Sequence, residues 1–239
     1  MEPAQVKGDK LTLTGEEAAH LTQVLRAKNG DMFWAIDGTG LKYRAVLESS
    51  DKKSATGIIM NKIRLENEPF YHVTLAQGLC RSNRMDDIVE KGTEVGVSSF
   101  VFFYSEKGYI KDSDEPPKRI RRLDRIARAT AKQSKRTLIP SVSDPIPFHQ
   151  MLRLRNEYDI SLVAVFHEDS RPVESFFENT EAIKRILLAV GPESGFSEDE
   201  TAACIEAGFL PVSLGPRRLR TETAGIVFPA LVLNHLGDL

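Results

Sequence analysis

Apolar positions first recur at helical spacing. After Leu11-Thr12-Leu13-Thr14, residues Ala18, Leu21, Val24 and Leu25 mark one face of a helix that Asn29-Gly30 ends. Thr14 and Glu17 have the S/T-x-x-E spacing of a capping box at its start. Strand-like runs follow at 32–36, 41–48 and 54–63, the first two separated by the turn Asp37-Gly38-Thr39-Gly40. Short strands, one helix and frequent turn signals predict a small β-barrel domain over residues 1–70, with Glu66-Asn67-Glu68-Pro69 as the linker behind it. From Tyr71 the rhythm changes. Strand-like runs at 72–76, 99–104, 160–166 and 185–190, and a shorter one at 212–214, alternate with helical patterns near 82–95, 117–136, 197–207 and 222–235. That alternation predicts an α/β domain with a mostly parallel sheet over residues 71–239.

Composition bounds the class more than the fold. Two cysteines, Cys80 and Cys204, are too few for a disulfide scaffold or a four-cysteine zinc site. The five histidines, at 20, 72, 149, 167 and 235, form no ligand cluster in sequence, so no metal is expected. No apolar run approaches the roughly 20 residues of a membrane span, and the N-terminus has no signal-peptide stretch. The expectation is a soluble, cytoplasmic protein. A net charge of −2 at first counts against a nucleic-acid partner. The distribution reverses that inference: residues 118–136 hold nine basic residues and one acid, while 159–206 hold eleven acids and three bases. The near-neutral total is a cancellation between a basic segment and an acidic one.

The basic segment is a stripe on a helix. At 100° per residue, Lys118, Arg121, Arg122, Arg125, Arg128, Lys132, Lys135 and Arg136 span about 140° of arc, opposite Ile120, Leu123, Ala127 and Ala131. Charge runs are commonly solvated faces. Here Asp124 is almost the only acid within helical reach, and five of the eight cations are arginines suited to bidentate phosphate contact. The stripe predicts a nucleic-acid partner.

Two apolar runs stop at Gly-Pro. Residues 186–190 lead into Gly191-Pro192-Glu193-Ser194-Gly195-Phe196-Ser197, and Val212-Ser213-Leu214 into Gly215-Pro216. The carboxyl edge of a parallel sheet is where such domains open a ligand crevice, and Gly191 and Gly195 let the backbone approach a ligand. Ser197 and Glu200 form a second capping box. Neither G-x-G-x-x-G nor a Walker loop is present, so a nucleotide-like cofactor would rest on irregular backbone loops without a phosphate cradle. In Arg217-Arg218-Leu219-Arg220-Thr221-Glu222-Thr223-Ala224, Thr221 reads as an N-cap with Glu222 in the first turn, leaving three arginines beside a glycine turn.

These runs, with Lys91-Gly92-Thr93-Glu94-Val95-Gly96-Val97, Ala131-Lys132-Gln133-Ser134-Lys135-Arg136 and the N-terminal His20-Leu21-Thr22-Gln23-Val24-Leu25-Arg26 and Gly30-Asp31, resemble the bacterial 16S ribosomal RNA uracil-N3 methyltransferases, members of the SPOUT superfamily. The resemblance covers almost the whole chain, with the motifs in order. It implies a PUA-like RNA-binding β-barrel over 1–70 and a SPOUT α/β domain over 71–239 with a deep C-terminal trefoil knot. It further implies S-adenosylmethionine (SAM) as cofactor, a homodimer, and the 16S RNA of the small ribosomal subunit as partner, with no membrane and no metal. By that carry-over Leu188, Gly191, Pro192, Glu193, Gly195, Leu214, Gly215, Leu219, Arg220 and Thr223 line the cofactor. Arg26 and Arg84 join Arg121, Arg122, Arg125, Arg128, Lys132 and Arg136 as RNA contacts. Ser194 stands where the family usually has a second glycine, Leu123 where a Trp often follows an Arg, and Arg218 where an Ile is usual. If position 194 requires a positive φ, serine there costs roughly 1 kcal/mol or more relative to glycine, whereas Arg218 adds a candidate phosphate contact.

Methylating uracil N3 makes three demands. The base must leave its pair or stack, the N3 proton must go, and the resulting anion must align with the methyl donor. Arg220 and Arg136 are the expected stabilisers of that anion. Glu94 or Glu222 takes the proton or orients the arginines, and the residues alone do not choose between them. The competing reading is a non-catalytic RNA-binding assembly factor that keeps the knot as a scaffold. A nucleotide-dependent enzyme on an open α/β sheet lacks its fingerprint motifs.

Overall fold

The structure, a computed structural model, describes residues 5–51, 53–108, 117–178 and 182–239. The chain forms two compact units, Met1–Glu68 with Ala131–Ile139, and Pro69–Thr130 with Pro140–Leu239. The segment Ala131–Ile139 thus joins the first unit although nothing in its composition announces a return.

In the first unit, β1 (Val6–Lys7), β2 (Lys10–Thr14), β3 (Met32–Ile36), β4 (Leu41–Ser50) and β5 (Ser54–Arg64) form an antiparallel sheet ordered β1-β2-β5-β4-β3. Period-two alternation sends Leu11, Leu13, Phe33, Tyr43, Ala45, Leu47 and Ala55 into one core, which Ala18 and Leu21 complete. Those two residues come from α1 (Gly15–Ala19) and the π-helical turn His20–Val24 that continues it. The first capping box is not formed. Thr14 makes no side-chain cap bond, and Glu17 instead pairs with Lys132 of the returning segment. The stretch expected to be a linker is also fixed in place: Glu68 Oε1 accepts from the backbone N–H groups of Thr137 (2.6 Å) and Leu138 (2.8 Å), and Oε2 from the Arg136 guanidinium at 2.8 Å. Both side chains are buried, 2% and 3% exposed.

The second unit alternates β6 (His72–Gly78), α2 (Ser82–Val95), β7 (Ser99–Tyr104), α3 (Pro117–Gln133), β8 (Ser141–Val142), β9 (Ile146–Pro147), α4 (Phe148–Arg153), β10 (Ile160–Ala164), β11 (Arg185–Val190), α5 (Glu198–Glu206), β12 (Leu210–Val212) and α6 (Thr221–His235). The last residues of α3, from Ala131 on, fall in the first unit. All strand pairs here are parallel, in the order β12-β10-β11-β6-β7-β8 with β9 also on β7. Such a sheet is covered on both faces, which is why its strands read as continuous apolar runs. Leu75, Phe100, Leu162, Ile186 and Leu188 point into one core with Ile88 of α2, Leu123 of α3 and Phe228 of α6. Ala76, Phe103, Val163, Leu187 and Ala189 point into the other with Met151 of α4 and Cys204 of α5.

Three boundaries differ from expectation in ways that matter. α3 ends at Gln133, and Lys135 adopts φ 62°, so Lys135 and Arg136 leave the helical arc and the stripe loses two of its cations. β10 stops at Ala164 and β12 at Val212, which releases 165–167 and 213–214 as loop. β8, β9 and α4 gave no clear sequence signal because they are two to six residues long.

Candidate active site

β10 lies between β12 and β11, so the carboxyl ends of all three strands meet at one edge. A cavity of about 520 Å³ opens there, within the roughly 300–1,000 Å³ of small-molecule sites. Three loops line it, 165–167, 191–197 and 213–219, together with Thr201 and Ala202 of α5 and Thr221 and Ala224 of α6.

Close backbone approach shapes these loops. A Cβ on Gly191 would come 2.9 Å from the Phe196 nitrogen, and one on Gly78 2.6 Å from Pro192 Cδ. Gly195 (φ 72°) and Gly215 (φ 106°) take left-handed backbone that L side chains avoid. Ser194 is not among the positive-φ residues, so the cost anticipated for serine there does not arise. The Ser197–Glu200 capping box is formed, and the Glu200 carboxylate also accepts from Ser105 Oγ (2.9 Å) and the Glu106 N–H (2.8 Å). At α6 the N-cap is Arg220, one residue before the expected Thr221. The Thr221 hydroxyl donates to the Gly191 carbonyl at 2.6 Å and accepts from Gln77 Nε2 at 2.8 Å, tying α6 to the loop after β11.

Of the expected cofactor residues, Gly191, Pro192, Glu193, Gly195, Leu214, Gly215 and Leu219 line the cavity. Leu188 does not, because it is fully buried in the core. Thr223 and Arg220 do not line it either, although Arg220 is exposed between two residues that do. Sequence reasoning missed the 165–167 loop, since only strand order reveals that β10 ends beside the two Gly-Pro loops. The exposed ring of Phe166 sits there, 5.8 Å from the guanidinium of Arg218. Arg218 therefore lies against a cavity aromatic, a contact its departure from the family pattern did not suggest.

A charge cluster flanks this edge. Glu193 accepts the Arg81 N–H on Oε1 at 2.9 Å, while its Oε2 is buried with no hydrogen-bond partner among the described residues. Arg84, near the start of α2, stands between two carboxylates, 3.9 Å from Glu193 Oε1 and 3.3 Å from Glu222 Oε2. The Glu222 oxygen has ion-pair distance but no aligned hydrogen bond. One guanidinium thus faces two half-buried carboxylates, and Arg84 is engaged in ion pairs within the protein. Glu94 does not join the cluster. It lies ten residues along the same helix, about 15 Å by helical rise, and pairs with Lys91 at 3.3 Å. Arg136 belongs to the first unit, where it clamps Glu68. Both cysteines are poor nucleophiles: burial, reinforced for Cys80 by the Glu193 charge and for Cys204 by the Glu200 charge, pushes each thiol up to about 12.

The basic stripe is partly neutralised, by Asp124 on the same helix and by two acids distant in sequence. Arg122 pairs with Asp86 at 2.6 Å, Arg128 with Asp124 at 2.8 Å, and Lys132 with Glu17. Among the described residues, Arg121 and Arg125 are exposed with no carboxylate partner. Arg26 is exposed as well, held at φ 54° just beyond the π-helical turn, a conformation uncommon for a non-glycine residue.

Comparison with known proteins gives three kinds of match. Residues 66–233 match the family described as RNA methyltransferase domain, and 13–60 the RNA methyltransferase PUA domain. The chain is 32% identical over 238 residues to the ribosomal RNA small subunit methyltransferase E of Synechocystis, covering 99% of this chain and 76% of that protein. To the same-named protein of Bacillus subtilis it is 31% identical over 219 residues, covering 89% and 85%. Its structure is similar to that of ribosomal RNA small subunit methyltransferase E from Neisseria gonorrhoeae bound to SAM, with TM-score 0.84, 28% identity and coverage of 95% and 92%.

Proposed function

The chain belongs to the RNA methyltransferase family, and from that premise we propose that it methylates N3 of a uridine in the 16S RNA of the small ribosomal subunit, using SAM. The observation that carries this reading is the cavity at the sheet edge, walled by backbone loops and by the half-buried Glu193 carboxylate, whose Oε2 has no hydrogen-bond partner among the described residues. SAM fits these residues. It is a cation without phosphates, so it needs backbone hydrogen-bonding groups and a negative counter-charge, which the glycine loops and Glu193 offer. When bound it supplies an activated methyl group, so the site needs no nucleophilic side chain of its own.

The chain's residues then have three tasks. We assign acceptance of the N3 proton to Glu222, which lies in the first turn of α6 and pairs with Arg84. Arg220, exposed at the N-cap beside it, offers positive charge to the uracil anion. Arg84 fixes both carboxylates and acts as a positioning residue. Glu94 and Arg136 have other partners and drop out of this assignment. The same reading makes residues 1–70 the RNA-binding domain and 71–239 the catalytic one, with a knotted chain, a homodimer and a cytoplasmic site of action. No helix among the described residues is long and apolar enough to cross a membrane.

Arg220→Ala tests the assignment. Single-turnover transfer from labelled SAM to 16S RNA should fall about 100-fold, while calorimetry shows SAM affinity within about twofold. Equal losses of both would remove Arg220 from the chemistry. Tight RNA binding by the unaltered protein without any label transfer would leave an assembly factor instead.

A further inference from the structure

The first unit has a sheet face that the catalytic reading does not use. Antiparallel register places Trp34 opposite Arg44 and Arg44 opposite Asn61, a row across β3, β4 and β5 on the face away from Phe33, Tyr43 and Ala45. The neighbouring rows put Met32 beside Val46 and Ile36 beside Lys42 on the same face. Trp34 is 51% exposed and Met32 62%, an unusual display for large apolar side chains. Lys42 sits 4.6 Å from the indole centroid and is held there by its ion pair with Glu66. Glu48, the other carboxylate on this face, is neutralised by Lys10 at 2.8 Å. Arg44 has no carboxylate partner among the described residues; one of its terminal nitrogens rests 3.1 Å from Met32 Sδ. Asn61 is exposed and accepts the Lys62 N–H on Oδ1, so that bond does not use its amide donors.

We infer that this face binds a short single-stranded segment of the RNA, stacking one unpaired base on the Trp34 indole. The inference rests on the reading of the protein as an RNA methyltransferase. A single-stranded RNA needs an aromatic platform for a base, a cation for the adjoining phosphate and amide donors for base edges. Trp34, Arg44 and Asn61 supply those three in one cross-strand row. The charge balance favours RNA over a protein partner. Glu66 and Glu48 are already paired, and Arg44 has no carboxylate partner among the described residues.

Trp34 is the sole tryptophan of the chain, so its fluorescence reports on this face alone. Titrating the full-length protein with a single-stranded oligoribonucleotide should quench the indole emission, with the midpoint matching RNA binding by anisotropy. Trp34→Ala should weaken binding about tenfold, Trp34→Phe only slightly, and Arg44→Ala should weaken it and flatten its salt dependence. Thermal melts of these exposed-site variants should match the parent. Unchanged affinity in Trp34→Ala and Arg44→Ala, while the parent still methylates 16S RNA, overturns this face and spares the enzyme. A dimer in the parent that Trp34→Ala converts to monomer overturns it in favour of a second copy of the chain. If the parent neither binds nor methylates RNA, the catalytic reading falls and this one with it.

Discussion

Glu68 in the first unit and Glu193 in the second are both carboxylates largely withdrawn from water, 2% and 11% exposed, and their surroundings could hardly differ more. Glu68 is met by the Arg136 guanidinium, two backbone N–H groups and the Thr137 hydroxyl, so both oxygens are occupied. Glu193 has one backbone donor, a guanidinium at 3.9 Å and a buried oxygen with no hydrogen-bond partner among the described residues. A saturated buried charge holds a chain segment in place. An undersaturated one beside a cavity costs stability unless a ligand completes it. The contrast separates architecture from site without reference to sequence motifs.

The largest expected effect lies on the saturated side. Arg136→Ala strands the Glu68 carboxylate and should destabilise the protein by about 3–5 kcal/mol, read from urea unfolding at equal m-value. A loss below about 1 kcal/mol would show that the pair does not hold the returning segment. Next comes Glu193→Gln, which keeps the shape and removes the charge. It should weaken SAM binding about tenfold, roughly 1.4 kcal/mol, while leaving the unfolding midpoint unchanged or higher, because a poorly compensated charge has gone. A drop in stability without loss of affinity would reverse the contrast. The smallest effect concerns the exposed cations. Replacing Arg121 and Arg125 together should lower the salt slope of RNA binding by roughly 1.4–1.8, two phosphate contacts' worth, with stability altered by no more than about 0.5 kcal/mol. The already paired Arg122 and Arg128 should lower it less; equal changes would mean that their ion pairs yield to RNA.

Much of the scaffold could be read from local pattern. The α2 expectation of 82–95 coincides with Ser82–Val95, and β3, β7 and β11 occupy their expected runs. The second capping box is present, and seven of the residues singled out on the two Gly-Pro loops line one cavity. Local pattern failed where a distant charge intervened. The first capping box gives way because Glu17 finds Lys132, and Arg84 is drawn between Glu193 and Glu222. The stripe weakened for the same reason: a helical wheel counts acids within four residues, whereas Asp86 and Glu17 arrive from other elements.

By itself the sequence determined the element types, the two-part division in outline and the glycine positions that shape the loops at two strand ends. Periodicity and φ preference are properties of a few consecutive residues, so they are written locally. Tertiary structure alone decided that β10 lies between β11 and β12, that Arg136 is buried rather than offered to RNA, and that one oxygen of Glu193 is left without a partner. Those outcomes depend on which groups meet across more than 60 residues of chain, as Glu68 and Arg136 do at a separation of 68. Burial then turns each meeting into a strong bond or a costly vacancy.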